Sequence, residues 1–263
     1  MNQRRVDVRD GQFAIEVNEA GQGAPLLFLH SELGPRWTPF HDRLAEAWHV
    51  IAPSHPGFGA SSGGEQLHDV HDLIYYYLDF LDRLALRDLP LVGHGLGGMF
   101  AAELAAVQPE RFPSLVLVAP FGLWLPHAPT LDYFAASPPE LAAALYYDQS
   151  SPAAVAAAAS PTDQAALIEQ ALERARSQAS AARYLWPIPN RGLSKRLHRV
   201  RAATLLVWGE RDGMVTRSDQ EALLQAIAGA RLSIDAEAGH APHWEDPARV
   251  AAQIAAFAAE LAG

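Results

Sequence analysis

The sequence predicts an α/β architecture, a mostly parallel sheet flanked by helices and interrupted once by a helical insertion. Three observations predict it. Short β-branched or aliphatic runs alternate with segments of helical periodicity. Some of those runs, such as Pro-Leu-Leu-Phe-Leu-His at 25–30, are almost wholly apolar, as a strand covered on both faces must be. The alternation then stops between residues 122 and 192, where Pro and Ala are frequent and no strand pattern appears. At 263 residues, 49% apolar and 19% charged, the chain suits one large domain carrying such an insertion. We expect a core from 1–121 and 193–263, with a helical cap from 122–192.

Taken in order, residues 12–17 alternate as an edge strand does, 25–30 form the buried strand, 37–47 a helix and 49–52 the next strand. From 69 to 86 the apolar residues Val70, Leu73, Ile74, Tyr77, Leu78, Leu81 and Leu84 recur at helical spacing. Residues 89–93 make a strand that runs directly into Gly-His-Gly-Leu-Gly-Gly and a helix ending near 107. Another buried strand covers 115–119. Inside the insertion, 138–147 and 162–185 read as helices, and the alanine-rich 153–160 as a mobile connection. The last strands are 204–208 and 231–235, with helices at 217–228 and 247–261.

Composition removes several function classes. The formal charge of -10 argues against tracking a nucleic-acid backbone, and the basic run Arg191, Lys195, Arg196, Arg199, Arg201 reads as a solvated helix face. With no cysteine there is no disulfide, thiolate catalysis or cysteine-ligated metal. No apolar run approaches the ~20 residues of a membrane span. The opening Met1-Asn2-Gln3-Arg4-Arg5-Val6-Asp7 has no apolar run after its arginines, so we expect no secretory signal and a cytoplasmic protein. The eleven histidines form no metal motif, and we expect neither metal nor cofactor. A homo-oligomer is left open.

Four motifs carry chemistry. Leu91-Val92-Gly93-His94-Gly95-Leu96-Gly97-Gly98 joins a strand to a helix, in a turn so sharp that small residues must flank it. The run also fits the G-x-G-x-x-G of a dinucleotide loop. That motif belongs after a first strand, with an acidic residue at a strand end about 20 positions later. Here it follows roughly the fifth strand, and Glu110 lies just after Pro109. The others each follow a strand: Trp208-Gly209-Glu210-Arg211-Asp212, Ala238-Gly239-His240-Ala241-Pro242-His243-Trp244, and Phe28-Leu29-His30-Ser31-Glu32-Leu33-Gly34. An Asp after a strand is by itself usually a turn residue, and a loop His usually polar surface. Their order along the chain is what makes coincidence improbable.

These motifs resemble the α/β-hydrolase superfamily over nearly the whole chain. Pro53-Ser54-His55-Pro56-Gly57-Phe58-Gly59-Ala60-Ser61 and the return Trp186-Pro187-Ile188-Pro189 to Trp208-Gly209 are also similar to that family. The resemblance implies eight mostly parallel strands with a helical cap over the site. It implies Asp212 orienting His240 as general base, with the Leu96 and Glu32 backbone N–H groups as oxyanion donors. It implies His30 as a hydrogen-bonder behind the site and His94 as a packed neighbour pointing away. Position 95, where this family carries the nucleophile, is Gly.

Three readings follow from Gly95. The chain is a serine-hydrolase scaffold for an ester or related bond, inactive or severely impaired; or a general-base enzyme using only His240 and Asp212, as a lyase or cofactor-free oxygenase; or a binding protein without chemistry. In each, the partner is a small organic molecule with an apolar part. Trp124, Tyr133, Phe134, Tyr146, Tyr147 and Trp186 are the candidates to line its pocket, Trp124, Tyr146 and Trp186 foremost.

Overall fold

The computed structural model describes residues 1–262. Its strands are β1 Asn2–Val8, β2 Phe13–Ala20, β3 Pro25–Leu29, β4 His49–Pro53, β5 Leu91–His94, β6 Ser114–Val118, β7 Ala203–Gly209 and β8 Arg231–Asp235. Its α-helices are α1 Pro39–Leu44, α2 Val70–Arg83, α3 Gly95–Val107, α4 Pro138–Leu145, α5 Pro152–Ala158, α6 Gln164–Leu185, α7 Arg217–Ala226, α8 Pro242–Glu245 and α9 Pro247–Ala262. The strands form one eight-stranded sheet in the order β1-β2-β4-β3-β5-β6-β7-β8. The pairs β1–β2 and β2–β4 are antiparallel, and all others parallel. The α/β class and the mostly parallel sheet are therefore as the sequence predicts.

Period-two alternation sorts each central strand between two cores. Leu27, Leu29, Leu91, Leu117 and Leu206 face one side, packed with α2 and α3. Leu26, Phe28, Val92, Val116, Val118 and Val207 face the other, against Phe40 and Leu44 of α1 and Val250, Ile254 and Phe257 of α9. Because both faces are covered, the strands read as continuous apolar runs. Among the described residues no helix is long and apolar enough to cross a membrane.

Three expectations need correction. Residues 12–17 are not an edge: β2 lies between β1 and β4, and the edge is β1. That strand escapes the sequence because Gln3, Arg4, Arg5 and Asp7 sit on an outer strand where only Val6 and Val8 are buried. The alanine-rich stretch is no loose connection. It holds α5, whose N-cap Ser151 accepts a hydrogen bond from the Ala154 N–H, and Pro152 opens the first turn. The predicted helix at 37–47 shrinks to Pro39–Leu44, since Pro39 and the Thr38 cap set its start.

Candidate active site

The C-terminal ends of β3, β5, β7 and β8 deliver four loops to one place, as open parallel sheets do. Gly95 follows β5 directly at φ +53°, the left-handed region where a Cβ costs about 1–2 kcal/mol. Gly97, two residues into α3, lies so close to β3 that a Cβ there would overlap the Leu29 and His30 carbonyl oxygens. Small residues thus let α3 start on top of the sheet and aim its first N–H groups at the site.

Asp212, after β7, and His240, after β8, are brought together. His240 Nδ1 lies 3.1 Å from both carboxylate oxygens of Asp212. Asp212 Oδ1 also accepts from the Met214 and Val215 N–H groups, at 2.8 and 3.0 Å, which fixes the carboxylate before the histidine arrives. Both side chains are buried. Burial alone would depress the His240 pKa, yet the charge of Asp212, its hydrogen bond and Glu32 together raise it above the usual value. Among the described residues His240 Nε2 has no hydrogen-bond partner.

Glu32 corrects the sequence reading. Its backbone N–H was expected to complete an oxyanion hole with that of Leu96. Instead the Glu32 side chain is buried in that place: its Oε2 accepts the Leu96 N–H at 3.2 Å, and its own backbone N–H also stabilises the anion. The two expected donors converge on a carboxylate of the protein itself. Oε1 lies 3.9 Å from His240 Nε2 and, like it, has no hydrogen-bond partner. A Cβ built on Gly95 would come within 2.5 Å of Oε2. Burial raises the Glu32 pKa, opposed by His240 and by the two N–H groups. The sequence shows only that Glu32 follows β3 by three residues and that position 95 is Gly; nothing in it brings the two together.

His94 is a packed neighbour, but it lies against His240 rather than pointing away from it, and His30 bonds the loops behind the site. His94 Nε2 lies 3.1 Å from the His240 carbonyl oxygen, and its ring packs against His240 and His243. His30 Nδ1 bonds the Ser31 carbonyl at 2.8 Å, and Nε2 accepts the His55 N–H at 2.9 Å.

A cavity of about 80 Å³ opens beside the site, lined by Phe121, Trp124, Leu131, Tyr133, Phe134 and Leu185 among others. Phe121 also packs on the His240 ring, 5.6 Å between centroids. Tyr133 lies near enough to Glu32 that burial and then the carboxylate's charge push its phenol well up, so it stays protonated. Of the six aromatic candidates, Trp124, Tyr133 and Phe134 line this cavity, and Tyr146, Tyr147 and Trp186 lie outside it. Trp186 is 56% exposed and Tyr147 47% exposed. Tyr146 is buried elsewhere, near Arg36 and Glu245. Among the described residues no group of His, Asp or Glu could hold a metal ion.

Comparison with known proteins agrees with this layout. Residues 24–247 match the α/β hydrolase fold family. The chain is 28% identical over 258 residues to the 2-hydroxymuconate semialdehyde hydrolase of Pseudomonas sp. (strain CF600), covering 93% of this chain and 90% of that protein. It is 28% identical over 257 residues to the 2-hydroxy-6-oxo-6-phenylhexa-2,4-dienoate hydrolase of Comamonas testosteroni, covering 89% and 87%. Among solved structures, a bacterial membrane phospholipase A superposes with a TM-score of 0.80 at 25% identity, covering all of this chain and 87% of that one. A meta-cleavage product hydrolase from Pseudomonas fluorescens IP01 shares the fold at a TM-score of 0.75 and 19% identity, covering 98% and 97%. The chain belongs to the α/β-hydrolase fold family.

Proposed function

We propose that this chain acts on a small organic molecule through the Asp212–His240 pair, and that the covalent serine route of its family is closed to it. One observation carries the reading: position 95 has no side chain, and the space where one would begin is bounded by the Glu32 carboxylate at 2.5 Å. Loss of such a nucleophile costs on the order of 10⁶ in turnover in a serine hydrolase, which leaves oxyanion and binding effects only. Residues 122–192 serve as the cap, and the cavity under Trp124 and Phe134 receives the apolar part of the substrate. Both relatives are named hydrolases, which supports a hydrolytic reaction; an ester or related bond is our reading of its target.

The general-base reading has its own support. His240 Nδ1 is held by Asp212 while Nε2 is unpartnered, so its lone pair is free to take a proton from water or a carbon acid. Fluorophosphonate labelling and hydrolysis of a p-nitrophenyl ester test the closed serine route. The parent is expected to show neither. Gly95→Ser alone should stay poorly reactive, because its Cβ meets Glu32, whereas Gly95→Ser with Glu32→Gly should be labelled in a His240-dependent way. A parent labelled within the site would sink the proposal.

A further inference from the structure

We propose that Glu245 is the positioning residue of the Asp212–His240 pair, a carboxylate that ties the loop carrying His240 to Tyr147 and Asp148 of the helical insertion. The inference rests on the Asp212–His240 reading and adds what keeps that pair assembled. Two N–H groups flank His240 along the chain, and both are held from the insertion. That of Gly239 donates to Glu245 Oε1 at 2.7 Å, while Oε2 of the same carboxylate accepts the Tyr147 N–H at 2.8 Å. The Asp148 N–H also reaches Oε2, at 3.5 Å. That of Ala241 donates directly to the Leu145 carbonyl at 3.4 Å. Beside Asp212, the Gly213 N–H donates to the Ala144 carbonyl at 3.1 Å. The chain at and just after the end of α4 therefore grips both loops of the pair next to their functional residues. The approach is close enough to require glycine at 239, where a Cβ would come within 2.5 Å of the Leu145 carbonyl oxygen.

The link calls for a carboxylate in particular. Its two oxygens accept from N–H groups of two different segments, and neither of those groups can be served by another donor. An amide would keep one bond and turn its NH2 group toward the other N–H. An ionised acceptor also makes each bond stronger than a neutral one would be. Burial raises the Glu245 pKa, and the Gly239, Tyr147 and Asp148 N–H groups oppose that rise.

Glu245 acts on the imidazole through the backbone. Against burial, it is the charge of Asp212, its hydrogen bond and the charge of Glu32 that raise the His240 pKa. What Glu245 fixes is the place of Gly239, and with it the root of the next side chain. Held there, His240 keeps Nδ1 at 3.1 Å from both oxygens of Asp212. Misplacing such a contact by about 1 Å can cost about a hundredfold in rate, so a bond to the neighbouring N–H matters without touching the reacting atoms. The same carboxylate makes the position of His240 depend on that of Tyr147, which lies in the segment that covers the site.

Proton NMR titration of the His240 imidazole and amide hydrogen exchange, both on the full-length chain, test this. Glu245→Gln should lower the His240 pKa, as the ring loses its contact with Asp212, and should speed exchange at Gly239 and Tyr147 by about tenfold or more. Glu245→Asp keeps the charge but is one methylene shorter, so it should lower the pKa as well. Near-ultraviolet circular dichroism shows whether each variant is folded, and should Glu245→Gln not fold, Glu245→Asp decides. A group that served the fold alone would lower the unfolding temperature and leave the His240 titration where it is; that result would overturn the assignment. So would a pKa that falls in Glu245→Gln and not in Glu245→Asp, which would make the effect one of charge. Fluorophosphonate labelling of the variant carrying Gly95→Ser and Glu32→Gly separates this from the reading beneath it. If the label enters in a His240-dependent way while the Glu245 variants leave the titration unmoved, the Glu245 assignment fails and the Asp212–His240 pair stands. If no label enters, the reading of the pair fails whatever the Glu245 variants do.

Discussion

Gly95 and Glu32 are coupled, because the Glu32 carboxylate borders the space that a side chain at position 95 would need. A side chain at 95 meets two obstacles, a left-handed backbone at φ +53° and a carboxylate oxygen 2.5 Å from its Cβ. Gly95→Ala should therefore cost about 1–2 kcal/mol for the backbone alone, and more for moving Glu32. In a Glu32→Gly background the same substitution should fall back toward the backbone cost, which urea denaturation of the four proteins would read as a double-mutant cycle. Equal costs in both backgrounds would mean that Glu32 does not crowd position 95. The charge on Asp212 can be tested at the same scale. Because that charge and its hydrogen bond raise the His240 pKa, Asp212→Asn should lower it, as a proton NMR titration of the imidazole would show. An unmoved pKa would mean that Asp212 contributes geometry only.

At the scale of elements, the helix that begins at Gly95 is anchored from its far side. Glu103 of α3, only 2% exposed, forms a two-pronged pair with Arg196, its Oε2 and Oε1 at 2.6 and 2.5 Å from Nε and Nη2. Arg196 lies on the segment that returns from α6 to β7, and Nη2 also donates to the Arg191 carbonyl. Glu103→Ala should destabilise the protein by about 1–3 kcal/mol, since it leaves a part-buried guanidinium without its carboxylate. Thermal unfolding would check it, and a loss below about 1 kcal/mol would show the pair to be solvated. None of this pairing is legible in the sequence, where Arg196 belongs to a basic run that reads as solvated. The contrast with β3 and β5–β7 is physical. Strands covered on both faces must be apolar throughout, so composition alone reveals them, whereas β1 covers only Val6 and Val8 and looks like charged coil. The motif order located Asp212 and His240, because loops at the ends of parallel strands converge whatever their side chains. It could not locate the Glu32 carboxylate. A backbone donor and a side chain that caps it come from the same residue type at the same position, and only the geometry of the turn decides which one enters the site.

For the whole molecule, the histidines set the response to acid. Five of them, His30, His41, His55, His94 and His243, are buried with depressed pKa values, chiefly because burial disfavours the charged ring. His41 is held down to about 4 and His55 to about 3, from an ordinary 6.5. Below 6.5 the unfolded chain binds protons that the folded chain refuses, so each such group removes about 1.4 kcal/mol of stability per pH unit until its folded pKa is reached. His240 acts in the opposite sense, since its raised pKa gives stability that is lost as pH climbs above 6.5. Stability should therefore peak near neutrality and fall steeply on acidification. Acidification below about 6.5 should destabilise the protein through all five groups in the same direction. His243 isolates the effect. Among the described residues neither of its ring nitrogens has a hydrogen-bond partner, and it packs among Phe28, Phe40, His94 and Trp244. His243→Phe removes one titrating ring and leaves no hydrogen bond broken. Denaturant unfolding measured from about pH 7 to about pH 5 should then show the acid limb shallower by about 1.4 kcal/mol per pH unit than in the parent. An unchanged slope would mean that His243 takes up its proton in the folded protein.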